Sequence, residues 1–161
     1  MKVGIITVSD KGAKGEREDL SGRAIRALVK ADSYEYCIVP DEKEEISKAI
    51  VDFVDNKSCN LVLTTGGTGL SCRDVTPEAT NDVLDRQTPG ISEVIRIESF
   101  KINKRAILSR ALSGTRGKSL IINLPGSPKA VKECLEIILF VIPHALEILE
   151  KGSVECGSLN V

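Results

Sequence analysis

Three observations predict an α/β fold, a three-layer α/β/α sandwich built on a mostly parallel sheet. Short apolar, β-branched runs alternate with segments of helical period along most of the chain. Residues 3–9 (VGIITVS) and 60–65 (NLVLTT) are close to unbroken apolar runs, the pattern of strands buried on both faces. The connections are short, which favours right-handed crossovers between neighbouring parallel strands.

Residues 3–9 form the first expected strand and are placed near the sheet centre. Residues 10–19 are polar, carry two glycines and read as a loop, after which Ala24, Ile25, Leu28 and Val29 give residues 21–31 a helical stripe. Residues 34–39 read as a second strand that Pro40 and Asp41 stop. A helix over 44–54 follows, with Ile46, Ile50, Phe53 and Val54 on one face. The 60–65 strand leads into a glycine turn. Thr76, Pro77 and Glu78 then read as an N-cap, an N1 proline and an acidic first turn, opening a helix to about Leu84. Another helix is expected after Pro89 and Gly90. Residues 106–112 and 118–124, with a turn around 113–117, read as a hairpin or as two sequential strands. From Pro128 the pattern is helical again, and Pro143 either kinks that helix or starts a new one. No repeats or linkers interrupt the chain, so one domain over 1–161 is expected, its tail from Gly152 loosely held.

Composition narrows the function classes. Of 161 residues, 42% are hydrophobic and 28% charged, as in ordinary globular chains. A net charge of -1 supplies no general attraction for nucleic acid, and an aromatic content of 3% without Trp leaves few stacking platforms, so no nucleic-acid partner is expected. The longest later apolar run, residues 137–142, is far below membrane-spanning length. The five cysteines show no C-x-x-C pair or zinc spacing and read as reduced thiols of a cytoplasmic protein.

The chemistry concentrates in TTGGTGLSCRDVTPEA, residues 64–79. Gly66, Gly67 and Gly69 free the backbone around Thr68 to turn its amides toward one point, where an anion fits. Asp74 lies just beyond. A bare carboxylate there would repel such an anion by roughly 4 kcal/mol at 4 Å and an effective dielectric of 20, a conflict that a bridging Mg²⁺ removes. A plain strand-to-helix turn capped by Asp74 is the alternative. Ser9 and Asp10, Asp41, and the 66–74 segment all follow expected strands, so they converge on the carboxyl edge where ligands of such folds bind. Two carboxylates, Asp41 and Asp74, beside one phosphate most economically mean Mg²⁺, although Asp41 also suits the acidic first turn of a helix. NLPGSPKA, residues 123–130, turns through Pro125 and Gly126 and starts a helix with Ser127 as cap and Pro128 at N1. Its free amides form a second anion site. Lys129, with Arg73 and Lys11, could balance a ligand carrying several phosphates.

Two decoys fall away. Gly117, Lys118 and Ser119 imitate a P-loop end, but Leu112 stands where its first glycine belongs and a strand follows where a helix is needed. His144, the single histidine, sits in an apolar helical stretch and reads as structural.

Read together, VSDKG (8–12), PDE (40–42), the 64–79 segment, PGISE (89–93), ILSRA (107–111) and NLPGSPKA resemble the molybdopterin adenylyltransferases, the MogA-type proteins that are similar also to the G domain of gephyrin. The resemblance covers nearly the whole chain. It implies a molybdopterin-binding fold, a homotrimer, ATP and molybdopterin as substrates, transfer of AMP to molybdopterin in molybdenum-cofactor synthesis, and a downstream molybdenum-insertion protein as partner. It also implies functional roles for Asp41 and Asp74 and phosphate contact by residues 66–69. A paralogous branch lacks an aspartate at the position of Asp41 and departs from RDVTPEA; this sequence keeps both. A non-catalytic molybdopterin carrier or assembly scaffold of the same fold is the rival reading, and a different nucleotidyltransferase a weaker third.

Overall fold

The computed structural model describes residues 1–152. Six strands form one sheet in the order β2-β1-β3-β6-β5-β4: β1 (Lys2–Val8), β2 (Ser33–Val39), β3 (Leu61–Thr65), β4 (Arg86–Gln87), β5 (Ser113–Arg116) and β6 (Ser119–Leu124). The four strands β2, β1, β3 and β6 are parallel, and β5 and β4 join as an antiparallel edge.

Alternation along the central strands divides the core in two. Val3 and Ile5 of β1 enter one apolar cluster with Leu61, Leu63, Ile122 and Leu124; Ile6 and Val8 enter the other with Val62 and Ile121. The first cluster packs on α2 (Leu20–Leu28), α5 (Pro89–Ile102), α6 (Pro128–Ile138) and α7 (Ile142–Lys151) through Ile25, Ile95, Leu135 and Ile142. The second packs on α3 (Lys43–Val51) and α4 (Thr76–Asn81) through Ile46, Ile50 and Ala79, with Phe53 from the π-helical turn Asp52–Asn56 that prolongs α3. Helices on both faces of a parallel sheet complete the three layers. Each fully buried Ile or Leu here contributes about 2 kcal/mol of transfer free energy.

Several boundaries depart from the sequence reading. The segment after β1 is not loop throughout, because the Ser9 hydroxyl accepts from the Gly12 amide at 3.1 Å and caps a one-turn helix, α1 (Asp10–Ala13). Thr76 is the first residue of α4 rather than its cap; Val75 precedes it, and the Thr76 hydroxyl instead donates to the Gly66 carbonyl at 2.9 Å. The strand expected over 106–112 is displaced. Asn103 Oδ1 accepts from the Arg105 amide at 3.0 Å and starts a 3-10 turn, Lys104–Leu108, while β5 occupies the segment expected to turn. The actual hairpin turn is Gly117 and Lys118, with Gly117 at φ 54 and its amide on Asp85 at 2.7 Å. That turn disposes of the P-loop imitation structurally. Pro143 stands in the first turn of a new helix, α7, in which His144 faces Glu147 at 3.9 Å. The tail past Gly152, with Cys156, lies outside the described residues. Among the described residues no helix is long and apolar enough to cross a membrane.

Candidate active site

Because β1, β2, β3 and β6 run in one direction, their carboxyl ends bring Ser9, Asp41, Gly66 and Pro125 to a single edge. A cleft of about 410 Å³ opens there, lined by Ser9, Asp41, Gly66, Gly67 and Gly126 among others, a volume in the range of small-molecule sites. Hydrogen bonds stitch its walls. Gly66 N donates to the Leu124 carbonyl at 3.2 Å, Thr65 Oγ1 to Pro125 O at 2.7 Å, and Ser21 Oγ to Gly126 O at 2.7 Å.

The glycine turn has the conformation that its composition demands. Gly66 and Gly67 adopt φ of 103° and 63°, and a Cβ on either would collide, with the Val8 carbonyl in the first case and the Thr76 hydroxyl in the second. The Gly66 amide is spent on Leu124, so it is not the free donor that the sequence suggested. Among the described residues, the amides of Gly67, Thr68 and Gly69 donate to no protein acceptor. Of these, Gly67 lines the cleft. On the far side of the turn, Thr68, Gly69 and Pro125 line a second cavity of about 240 Å³ with Arg96, Ser99 and Arg105.

Asp41 is half-buried beside this turn, its Oδ1 3.3 Å from where a Gly67 Cβ would stand. Burial holds its carboxyl above the ordinary carboxylate value, and the charges of Asp10 and Asp74 push the same way against the Asp10 amide and Arg73. Asp74 Oδ2 accepts from the Ser71 amide at 2.9 Å and lies 2.9 Å from the Cβ position of Gly69. Asp74 therefore closes its own loop instead of capping α4. The two aspartates face neighbouring glycines of one turn.

The cations that the sequence nominated do not line the cleft. Arg73 grips the Asp10 carboxylate at 2.9–3.2 Å and Glu42 at 2.8 Å, and neither Arg73 nor Asp10 lines the cleft. Arg73 thus stands near the site but is occupied with carboxylates. Lys129 is 86% exposed and pairs with Glu133 at 3.8 Å, outside the cleft. Ser127 caps α6 as expected, accepting from Ala130 N at 3.2 Å.

Two arginines escaped the sequence reading. Arg17 is the cation that lines the cleft, from an exposed polar segment that gave no sign of its position. Arg110 holds the glycine turn: its backbone amide donates to Thr68 O at 2.9 Å, its Nε to Gly69 O at 2.8 Å, and its remaining nitrogens to Asp74 O and Glu78. The ILSRA segment contained it, but nothing local announced the contact.

A family model described as "Probable molybdopterin binding domain" matches residues 4–144. The chain belongs to this family. Among its relatives, the molybdopterin adenylyltransferase of Helicobacter pylori strain J99 is 42% identical over 164 residues, spanning 99% of this chain and 93% of its own. The molybdopterin adenylyltransferase of Escherichia coli K12 is 38% identical over 172 residues, spanning 96% and 88%. A crystal structure of the molybdopterin biosynthesis enzyme MoaB from Thermus thermophilus superposes with a TM-score of 0.85 at 46% identity, spanning 93% of this chain and 96% of that one. The family expected from GGTG and RDVTPEA is thus the family found, and the parallel sheet flanked by helices is its fold.

Proposed function

We propose that this chain, as a single molybdopterin-binding domain over 1–161, transfers AMP from ATP to the terminal phosphate of molybdopterin. An oxygen of that phosphate attacks the α-phosphorus of ATP, a new P–O bond forms, and the bond to the β-phosphate oxygen breaks. Pyrophosphate leaves with the bonding pair, and the product is adenylyl-molybdopterin. The nucleophile belongs to the substrate, so the protein supplies positioning and charge stabilisation. The observation that carries this reading is the pairing of three unspent amides, of Gly67, Thr68 and Gly69, with two aspartates facing the same turn. Its relatives named molybdopterin adenylyltransferase, matched over nearly their full lengths, support it.

The residues fit Mg²⁺. The ion takes one or two protein carboxylates and completes its shell with phosphate and water, and Asp41, destabilised by burial and by neighbouring carboxylates, is relieved by a cation. Asp41 and Asp74 would hold it. When bound it neutralises charge on the triphosphate and leaving pyrophosphate. The amides of the turn hold phosphate oxygens, Arg17 adds positive charge along the cleft, and Ser9 with Gly126 shapes its walls.

Ile97, Ile102 and Ile107 are about 60% exposed on α5 and the 3-10 turn after it, with Phe100 beside them. This apolar stripe supports the expected homotrimer by offering a surface for subunit contact. The thiols of Cys37, Cys59, Cys72 and Cys134 are free, which supports the expected cytoplasmic setting.

The test is pyrophosphate release from ATP on addition of molybdopterin, with and without Mg²⁺, beside Asp74→Asn. Turnover that requires the metal and falls about 100-fold in the variant is expected. Tight molybdopterin binding without pyrophosphate above background would sink the reading in favour of a carrier.

A further inference from the structure

The sequence nominates Arg73 for the ligand, yet its guanidinium is directed at two acidic residues of the segments that follow β1 and β2. Nε and Nη2 span both oxygens of Asp10 at 2.9–3.2 Å, and Nη1 donates to Glu42 Oε1 at 2.8 Å. Asp10 is itself locked to Asp41. The Asp10 amide donates to Asp41 Oδ2 at 2.8 Å, and the Asp41 amide donates to Asp10 Oδ1 at 3.0 Å. Arg73 therefore reaches Asp41 from two sides, through the Asp10 carboxylate on its amide and through Glu42, the next residue in the chain. With Oδ2 fixed by the Asp10 amide, Oδ1 is the oxygen turned toward Gly67.

An exposed ion pair in general adds little to stability, and Arg73, Asp10 and Glu42 are all partly solvated. The arrangement here is a bidentate fork that also takes a third carboxylate oxygen, and it joins the segments that follow β1, β2 and β3. Such a fork fixes orientation even where it contributes little stability. A lysine cannot reproduce it, because a single ammonium has no planar set of donors to span both carboxylates.

From this geometry we propose that Arg73 and Asp10 are positioning residues that hold the Asp41 carboxylate toward the glycine turn, and that Arg73 acts through Asp10 instead of touching the transferred phosphate. The inference rests on the reading of this site as one for adenylyl transfer. It removes Arg73 and Asp10 from the ligand contacts suggested by sequence and gives them one shared task.

The two roles separate in kinetics and in exchange. Arg73→Lys, Arg73→Gln, Asp10→Asn and the double variant Asp10→Asn with Arg73→Gln are compared with wild type for pyrophosphate release. Amide hydrogen exchange of residues 10 and 41 is followed in the nucleotide-free, metal-free protein. A positioning role lowers kcat about 10-fold in each single variant, lysine included, with KM for ATP within about twofold. It makes the double variant no worse than either single one, and it speeds exchange of both amides. A 10-fold rise in KM with kcat unchanged, full rescue by lysine, additive losses in the double variant, or unchanged exchange would each overturn it. If wild type releases no pyrophosphate, the functional reading fails on its own account, and faster exchange in Arg73→Gln would still support the link from Arg73 to Asp41 while unchanged exchange would refute it.

Discussion

Arg110 Nε donates to the carbonyl of Gly69 at 2.8 Å, so a residue 41 positions further along the chain fixes the outer end of the glycine turn. The same guanidinium takes the Asp74 carbonyl, and one side chain thereby ties together both ends of the 69–74 loop. Arg110→Ala leaves two carbonyls without their donor and frees the loop. A loss of about 2 kcal/mol in denaturant unfolding and of 10- to 100-fold in pyrophosphate release is expected, roughly the cost of unmade charged hydrogen bonds and of lost support behind a ligand-binding group. Arg110→Lys should recover less than half of the stability, since one ammonium cannot serve both carbonyls and Glu78.

Asp10 and Asp41 should respond to pH in opposite senses. Arg73 beside Asp10 holds its carboxyl below the ordinary value, so this group contributes stability above its unfolded pKa and loses it as pH falls through the folded one. Asp10→Asn is therefore less stable than wild type at pH 7, and the gap should begin to narrow only as pH falls below about 4. Asp41 is shifted upward by burial, so its contribution is present below the unfolded pKa and disappears as pH rises through the folded value. Asp41→Asn should match or exceed the wild-type melting temperature at pH 7 while turnover falls about 100-fold. Thermal melts across pH 3 to about 8 check both signs.

Gly67→Ala tests the turn itself. At φ 63° an alanine is strained, and its Cβ would press on the Thr76 hydroxyl and stand 3.3 Å from Asp41 Oδ1. The expected cost is about 1–3 kcal/mol in stability, with activity reduced more than the equivalent Gly90→Ala, whose Cβ would meet nothing.

Asn123 is buried among three partners. Its Nδ2 donates to Thr64 Oγ1 at 2.9 Å and to Thr80 Oγ1 at 2.8 Å, and its Oδ1 accepts from the Leu112 amide at 3.1 Å. Asn123→Leu keeps the branching and heavy-atom count and strips the polar atoms, leaving an amide and two hydroxyls buried without their partner. Destabilisation of about 3 kcal/mol in urea unfolding is expected, whereas a value near zero would mean that water replaces the lost amide.

Arg17 offers a charge without a rigid frame. Arg17→Ala should raise KM for ATP about threefold to 10-fold, and added salt should narrow the gap from wild type, because an exposed cation acts through a screened field. Equal KM values at low salt would exclude it from the ligand's path.

What could be read from the chain alone follows the range over which each signal acts. The β1 and β3 runs, the glycines at 66 and 67, and the Ser127–Pro128 helix start declare themselves within a few residues, because burial on both sheet faces, positive φ and capping are local demands. The two-residue strand β4 is exposed and has no apolar pattern, and α1 exists through a single serine cap, so neither had enough sequence to be seen. Residues 106–112 misled because their apolar side chains look outward: Ile107 and Leu108 are exposed where burial would have made a strand. Asp41 and Asp74 were legible as a pair through their places after strands. The partners of Arg73 and Arg110 were not, since each meets oxygens brought near only by the crossovers.

Four turns, each separated from the next by a helix or more of chain, make the cleft, and its last wall is Gly126 and Pro128 after the sixth strand. A polypeptide still emerging during synthesis owns its acidic residues and glycines long before it owns that wall. A partial chain thus holds the cleft's charged residues but lacks the Gly126 and Pro128 wall, which the pairing of the final parallel strand with the third puts in place.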